Sequence, residues 1–287
     1  MAISKKYRSE YNSNKHEIKK IARCFNMSDE GVRIYEKRGL VHPDVKDDSK
    51  IRTYDNMDFT MLLYSRVYKK CDFTLKEVEE IAKRDSIEDI QKRYEERIQR
   101  KQEELKNEER TLECMKDIEK GIRQISQLLG KCEVAEFPGL YRLEFMMRGS
   151  YLEQEEPELS RLVSLWTGFS PCTMISTRYD KEMILAGGDV TEAVSAGLGM
   201  YQKYAESFGV SENEYVCFCP PTKAVHTIMV ADNNKLIPDM AYVSAYVKEN
   251  GLIITGDAIT IGIANTNFDT TFTRYFHLWL PIEEVNM

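Results

Sequence analysis

From Ile87 to Leu129 the chain has no proline and a single glycine, Gly121, and one unbroken helix is the simplest reading of such a stretch. At roughly forty residues it far exceeds the usual helix of a globular domain. Its apolar residues Ile90, Tyr94, Ile98, Leu105, Leu112, Met115, Ile118, Ile122, Ile125 and Leu129 recur mostly at spacings of three, four or seven. That is a heptad seam, interrupted by Lys101 and Glu108. The outer positions are almost solidly charged, so the seam is expected to pair with another helix rather than to lie inside a domain.

With 287 residues, two domains and a connector are the natural arrangement. We read a head over residues 1–84, the long helix over 85–130 and a body over 131–287, an α+β multidomain chain. Charge divides along the same lines. Within the net charge of −7, the head holds 19 Lys+Arg against 14 Asp+Glu, the connector 10 against 12 and the body 11 against 21. A basic head on an acidic body is the asymmetry expected when only the head meets DNA, because phosphate contacts supply most of the affinity. The seven cysteines are odd in number and scattered, which suits reduced thiols. No apolar segment follows the basic start and no run of about 18 apolar residues occurs, so neither a secretory signal nor a membrane span is expected and the protein is placed in the cytoplasm.

The head is legible between Ile18 and Tyr54. Ile18-Lys19-Lys20-Ile21-Ala22 has helical apolar spacing, Asn26-Met27-Ser28 supplies a turn and an N-cap, and Val32-Arg33-Ile34-Tyr35 resumes the helical period before Gly39 and Pro43 stop it. A hairpin carrying Lys50, Arg52 and Tyr54 follows. Two short helices and a basic wing make a shape that can enter a major groove and grip phosphates. The string from Ser28 to Leu40, with Pro43, the wing Arg52-Thr53-Tyr54 and the later run from Asp72 to Val78, resembles the winged-helix domain of MerR-family regulators. The resemblance covers about 70 residues in order, with three departures: Ile34 replaces a usual tyrosine, Asp72 a usual glycine, and the acids Asp29 and Glu30 open the recognition helix. Those acids either accept from a cytosine amino group or simply solvate the helix.

The resemblance implies a homodimer joined by an antiparallel coiled coil, double-stranded promoter DNA with a palindromic operator, and RNA polymerase as a partner at that promoter. It further implies activation by DNA distortion, in which ligand lets the dimer bend and untwist an overlong spacer. The candidate DNA contacts are Ser28, Arg33, Tyr35, Lys37, Arg38, Lys50, Arg52 and Tyr54.

Residues 133–287 read as a duplicated strand-helix-strand-strand unit. The first copy has a strand from Tyr141 to Met147, a helix from about Glu155 to Trp166, and strand-like runs at Thr173 to Tyr179 and Met183 to Ala186. The second has a strand from Ala224 to Val230, a helix from about Pro238 to Asn250, and runs at Ile253 to Ala264 and Phe272 to Ile282. This order, with the ending from Tyr275 to Ile282, resembles the GyrI-like effector-binding domain of BmrR-type multidrug regulators.

Strand alternation puts Phe276, Leu278 and Leu280 on one face, suited to packing under helices, and Tyr275, His277 and Trp279 on the other. Ile259, Ile261 and Ile263 alternate with the smaller Ala258, Thr260, Gly262 and Ala264. An aromatic face beside the small-residue face is the lining expected of a pocket for a flat organic molecule, with Tyr141, Trp166 and Tyr179 as further candidates. The resemblance aligns Thr260 with a buried glutamate that neutralises cationic ligands in multidrug-binding relatives; Asp257 or Glu144 could substitute, and a neutral aromatic or amphipathic effector is equally compatible.

The leading expectation is thus a ligand-responsive transcription regulator without a cofactor, and not an enzyme. Two alternatives stay open. Some free-standing relatives of the C-terminal fold are hydrolases, although Glu144, Asp257 and His277 form no nucleophile-base-orienter set in sequence. A thiol or metal sensor would use Cys217-x-Cys219, which would face the same side of a strand, or Cys114 and Cys132 near the end of the long helix, eighteen residues apart with no third ligand nearby.

Overall fold

The structure, a computed structural model, describes residues 15–45, 51–148, 150–151, 157–186, 192–232, 239–268 and 271–283. The chain divides into two compact units, Met1–Leu105 and Lys106–Met287.

In the first unit, β1 (His16–Glu17) leads into α1 (Ile18–Cys24), and after a turn with Asn26 in the left-handed region (φ 49°) comes α2 (Asp29–Lys37). Ser28 caps α2, its Oγ accepting from the Gly31 amide at 3.0 Å. β2 (Asp44–Val45) and β3 (Arg52–Tyr54) complete a three-stranded sheet in the order β1-β3-β2. α3 (Asn56–Lys70) and α4 (Leu75–Lys83) each open on a capping box, Asp55 with Asp58 and Thr74 with Glu77. Ile21, Val32, Tyr35, Leu40, Tyr54, Leu62, Phe73 and Val78 form the core. Between α3 and α4, Asp72 adopts φ 63°, a backbone conformation that glycine takes at no steric cost. This explains why a glycine is the usual choice there.

α5 (Ile87–Leu128) is continuous and opens on a reciprocal pair of hydrogen bonds between Ser86 and Asp89. The heptad seam is divided among three uses. Ile90 and Tyr94 pack on the first unit's core, where Arg93 pairs with Glu80 and Asp85 and Arg97 with Glu77. Ile118 packs against a core of the second unit. Ile98, Leu105, Leu112, Met115, Ile122 and Leu129 are exposed.

In the second unit, β4 (Glu133–Phe137), β5 (Leu140–Met147), β6 (Ser150–Tyr151), α6 (Pro157–Gly168), β7 (Met174–Tyr179), α7 (Lys181–Leu185), β8 (Ser195–Tyr201), α8 (Gln202–Ser207), β9 (Val216–Cys219), β10 (Thr222–Ala231), α9 (Ala241–Glu249), β11 (Ile253–Ile254), β12 (Ala258–Phe268) and β13 (Thr271–Glu283) follow in order. The main sheet runs β4-β10-β13-β12-β7-β8-β5-β6, with β9 beside β5 and β11 beside β13. The duplication is visible in this order: β5, β8 and β7 on one side mirror β10, β13 and β12 on the other, and β7 and β12 meet in the middle. α6 covers the first half through Leu159, Leu162 and Trp166 on Leu143 and Met200. α9 covers the second through Val243 and Val247 on Leu278, Leu280 and Ile282.

One expectation for the first copy is corrected. Met183 to Ala186 is not a strand: Met183, Ile184 and Leu185 lie in α7, whose N-cap Asp180 accepts from the Glu182 amide at 2.8 Å. The third strand is β8, and its sequence Ser-Ala-Gly-Leu-Gly-Met-Tyr carries little strand propensity. Its glycine is demanded by close approach, since a Cβ at Gly197 would lie 1.9 Å from the Leu143 carbonyl oxygen. The expected starts of the two long C-terminal helices, Glu155 and Pro238, lie outside the described residues.

Candidate DNA-binding face and ligand cavity

On the first unit, Arg33, Lys37 and Arg38 stand exposed on α2 and at its C-terminus. Glu30 answers two of them, pairing with Lys37 at 3.2 Å and lying 3.7 Å from Arg33, which is the solvating role open to an acid on this helix. Arg38 pairs with Glu79 and its carbonyl accepts from Lys83. On β3, Arg52 Nε lies 3.1 Å from both carboxylate oxygens of Glu36, and Tyr54 donates its hydroxyl to the same carboxylate at 3.5 Å. Two of the candidate DNA contacts are therefore core residues: Tyr54 is fully buried and Tyr35 nearly so. Burial, then the Glu36 charge, pushes the Tyr54 hydroxyl up to about 12. Ser28 is exposed and its Oγ accepts the capping bond, which leaves its hydroxyl hydrogen to donate, and Lys50 lies outside the described residues.

In the second unit, the face of the sheet turned away from α6 and α9 bears a cavity of about 480 Å³, the size range of sites for small organic ligands. α5 forms one wall, through Cys114, Asp117, Ile118, Gly121 and Gln124. The sheet supplies His226 from β10, Ile261 and Ile263 from β12, and His277 and Trp279 from β13.

The register explains this lining. Ile259 lies opposite Trp279 and Ile261 opposite His277, and directly opposed residues of an antiparallel pair share a face. The isoleucines therefore sit beside the aromatic residues, while Thr260, opposite Leu278, turns toward the helices. This reverses the expected pairing of the aromatic face with the small-residue face. Of the eight candidate ligand contacts, His277 and Trp279 line the cavity. Tyr141 stacks on Phe218 at 4.5 Å against the α6 core, Trp166 is buried in that core, and Tyr179 is buried with α9. Thr260 is buried and accepts from the Thr177 amide at 3.2 Å. Tyr275 and Glu144 are partly buried on the cavity face but outside its lining.

Glu144 belongs instead to a buried ionic cluster. Arg142, with no exposed surface, donates from Nε to Ser176 Oγ at 3.0 Å, from both terminal nitrogens to Ser195 Oγ, and from Nη1 to the Glu144 carboxylate. Ser195 also donates to Glu144 at 2.5 Å, and Arg178 Nε lies 3.4 Å away. Arg178 in turn pairs with Asp257 at 3.2 Å. Burial opposes ionisation of Glu144, but Ser195 and the two arginines outweigh it and hold the carboxyl below its usual range. Both proposed substitutes for the missing pocket acid are thus already neutralised by arginine.

The cavity's aromatic wall is built around His226, which the sequence did not single out because it stands within the apolar run of β10. Its ring stacks on Trp279, centroids 3.9 Å apart and planes 10° from parallel. His226 Nδ1 lies 3.0 Å from Glu133 Oε1, and its Nε2 lies 2.9 Å from His277 Nδ1. Burial pushes His277 down to about 3, helped by His226 and Lys120, and burial also lowers His226 against the pull of Glu133. Elsewhere on the wall Asp117 takes the Tyr204 hydroxyl at 2.6 Å and Lys203 at 2.7 Å. The buried Cys114 thiol donates to the Pro171 carbonyl oxygen at 3.1 Å. Among the described residues no three His, Cys, Asp or Glu side chains converge to hold a metal, and no helix is long and apolar enough to cross a membrane.

Comparison with solved structures finds the EcmrR–DNA complex in EcmrR-RPo, 16% identical, covering 94% of this chain and all of that one at a TM-score of 0.36. HiNmlR, a MerR-family regulator lacking the sensor domain and bound to promoter DNA, is 20% identical over 39% of this chain and 96% of its own, at 0.33. A hydrolase from Listeria innocua is 9% identical over 57% of this chain and 97% of its own, at 0.35. No curated protein matches the chain. The family described as MerR HTH family regulatory protein matches residues 17–85, the segment that holds α1, the cap at Ser28, α2, the wing and the two boxed helices. The chain therefore carries, over residues 17–85, the DNA-binding head of a MerR-family transcription regulator.

Proposed function

We propose that the protein is a homodimeric, ligand-responsive transcription regulator whose effector, a small and flat organic molecule, binds the cavity of the second unit. The observation that carries this reading is the identity of the cavity wall. Gly121, Asp117 and Cys114 belong to α5, the same helix that begins against the core of the DNA-binding unit. A ligand that prefers one placement of that wall shifts the equilibrium between two placements of the helix by its difference in affinity for them. That difference is available to deform promoter DNA so that RNA polymerase engages it.

The exposed seam of Ile98, Leu105 and Leu112, with Met115, Ile122 and Leu129, supports pairing through α5 with a second copy, and two-fold symmetry then calls for a palindromic site. The body's acidic charge favours cations at long range, while the neutralised state of Glu144 and Asp257 leaves a neutral aromatic ligand equally well served. The domain limits that fit this reading are a head over residues 1–84, the dimer helix over 85–130 and a GyrI-like body over 131–287.

The test is selection of DNA sites from a random pool by the full-length protein, followed by tryptophan-emission titration with neutral and cationic aromatics in the presence and absence of the selected duplex. We expect palindromic sites and a ligand whose affinity changes on DNA binding. Selected sites without a palindrome, or ligand affinity indifferent to DNA, would refute the proposal.

A further inference from the structure

The cavity as an effector site is the reading on which the following rests; what it adds is the chemistry by which the ligand is recognised. A carboxylate only accepts, so the nitrogen of His226 that faces Glu133, Nδ1 at 3.0 Å, carries a proton. A neutral imidazole has one N–H, so His226 Nε2 is bare and must accept. Its partner is His277 Nδ1 at 2.9 Å, which therefore donates. His277 is then left with a bare Nε2, a lone pair fixed by a carboxylate two rings away.

That nitrogen faces α5 at the one place where the helix has no side chain: a Cβ at Gly121 would stand 3.0 Å from His277 Nε2 and 3.2 Å from Ile263. Beside it, the stacked His226 and Trp279 offer a flat apolar wall.

We propose that the cavity takes a flat aromatic ligand bearing its own N–H or O–H, which it donates to His277 Nε2, and that Glu133 sets this polarity through His226. Of the carboxylates in the lining, Glu136 alternates with Glu133 along β4 and so projects to the opposite face of the strand, and the other two are already engaged. Asp117 is engaged by Lys203 and Tyr204 and Glu133 by His226; Lys120, whose charge reaches His277, is exposed and is the one cation a ligand donor has to displace from the solvent side of that lone pair. An isosteric ligand with its donor methylated would fill the same space and leave the lone pair facing carbon, and one good neutral hydrogen bond is a difference of about tenfold in affinity.

The test uses the full-length chain and two probes, 2-naphthol and 2-methoxynaphthalene, titrated by calorimetry at neutral pH. It is combined with nitrogen NMR of protein labelled at its four histidines. We expect 2-naphthol to bind about tenfold more tightly than its ether, and His277 to appear as the Nδ1–H tautomer. Glu133 is about half exposed, so Glu133→Met should fold. It should mix the tautomers of His277 and reduce the preference to about threefold or less. Equal affinity of the two probes would overturn donor recognition while leaving the cavity as a ligand site, and a proton on His277 Nε2 in the wild type would overturn the relay. Binding of neither probe at millimolar concentration would remove the inference and the cavity reading together.

Discussion

Arg142→Met isolates the ionic cluster of the second unit. Methionine keeps most of the buried stem and removes the guanidinium, so Ser176 loses a donor, Ser195 loses two, and the Glu144 carboxylate keeps only Ser195 at 2.5 Å and Arg178 at 3.4 Å. Removing one member of a buried pair typically costs about 3–5 kcal/mol, mostly from the charge left behind. Glu144 retains 18% exposure and Arg178, so the loss should fall at the lower end, about 3 kcal/mol. Arg142→Met/Glu144→Gln removes both charges and should recover at least half of that loss.

Urea unfolding followed by tryptophan emission reads this unit selectively, because Trp166 and Trp279 are the chain's two tryptophans and both are buried there. A loss below about 1 kcal/mol for the single variant would refute the argument, as would a double variant no more stable than the single one. Acid dependence provides a second check. Glu144 is held below its ordinary value of 4.5 in the folded chain, so its contribution is present above that pH and is lost as pH falls through the folded value. Arg142→Met should weaken that acid dependence.

Three further outcomes follow from the geometry. His277, pushed down from 6.5 to about 3, makes its full contribution to stability above pH 6.5; as pH falls toward 3 the unfolded chain takes up the proton, and stability should decline by about 1.4 kcal/mol per pH unit. His277→Phe should flatten that slope in urea midpoints measured from pH 7 to 5. Tyr54→Phe should leave DNA affinity within about twofold, because the hydroxyl points to Glu36, whereas Arg33→Ala should weaken binding to every sequence and reduce the salt slope by about one; the opposite ranking would place Tyr54 on the phosphates. Leu105→Glu with Leu112→Glu puts charges into the exposed seam and should convert a dimer to a monomer in sedimentation at micromolar concentration, and an unchanged mass would move the interface elsewhere.

The head could be read almost entirely from sequence because its determinants are local. The cap at Ser28, the turn at Asn26 and the helical spacing of Ile21, Val32 and Tyr35 each act within a few residues, and even the departure at Asp72 marks a real left-handed position. What spacing does not reveal is whether a polar tip points outward, so Tyr35 and Tyr54 looked like phosphate contacts and are core residues. The cavity was harder to foresee. Alternation correctly separated His277 and Trp279 from Leu278 and Leu280, but which face of β12 joins them depends on register, and register is set across strands rather than along one. His226 stood inside an apolar run, and Glu133 came from a strand paired only in the folded sheet. β8 escaped notice because its glycines answer close packing, Gly197 against the Leu143 carbonyl and Gly199 against the Ser176 side chain, not a propensity.

Every residue of α5 from Ile98 to Glu109 is exposed. A helical span that buries no apolar face is marginal in water on its own, so this stretch, tied to the first unit through Lys101 and Asp72, holds its winding by cooperativity with its clasped ends and, in the proposed dimer, by the second copy. Its amide protons should therefore be the first of α5 to exchange with solvent when the protein is diluted. The middle of the rod is thereby a gauge of association: helix–coil fluctuation there rises as the partner leaves, while both ends remain ordered.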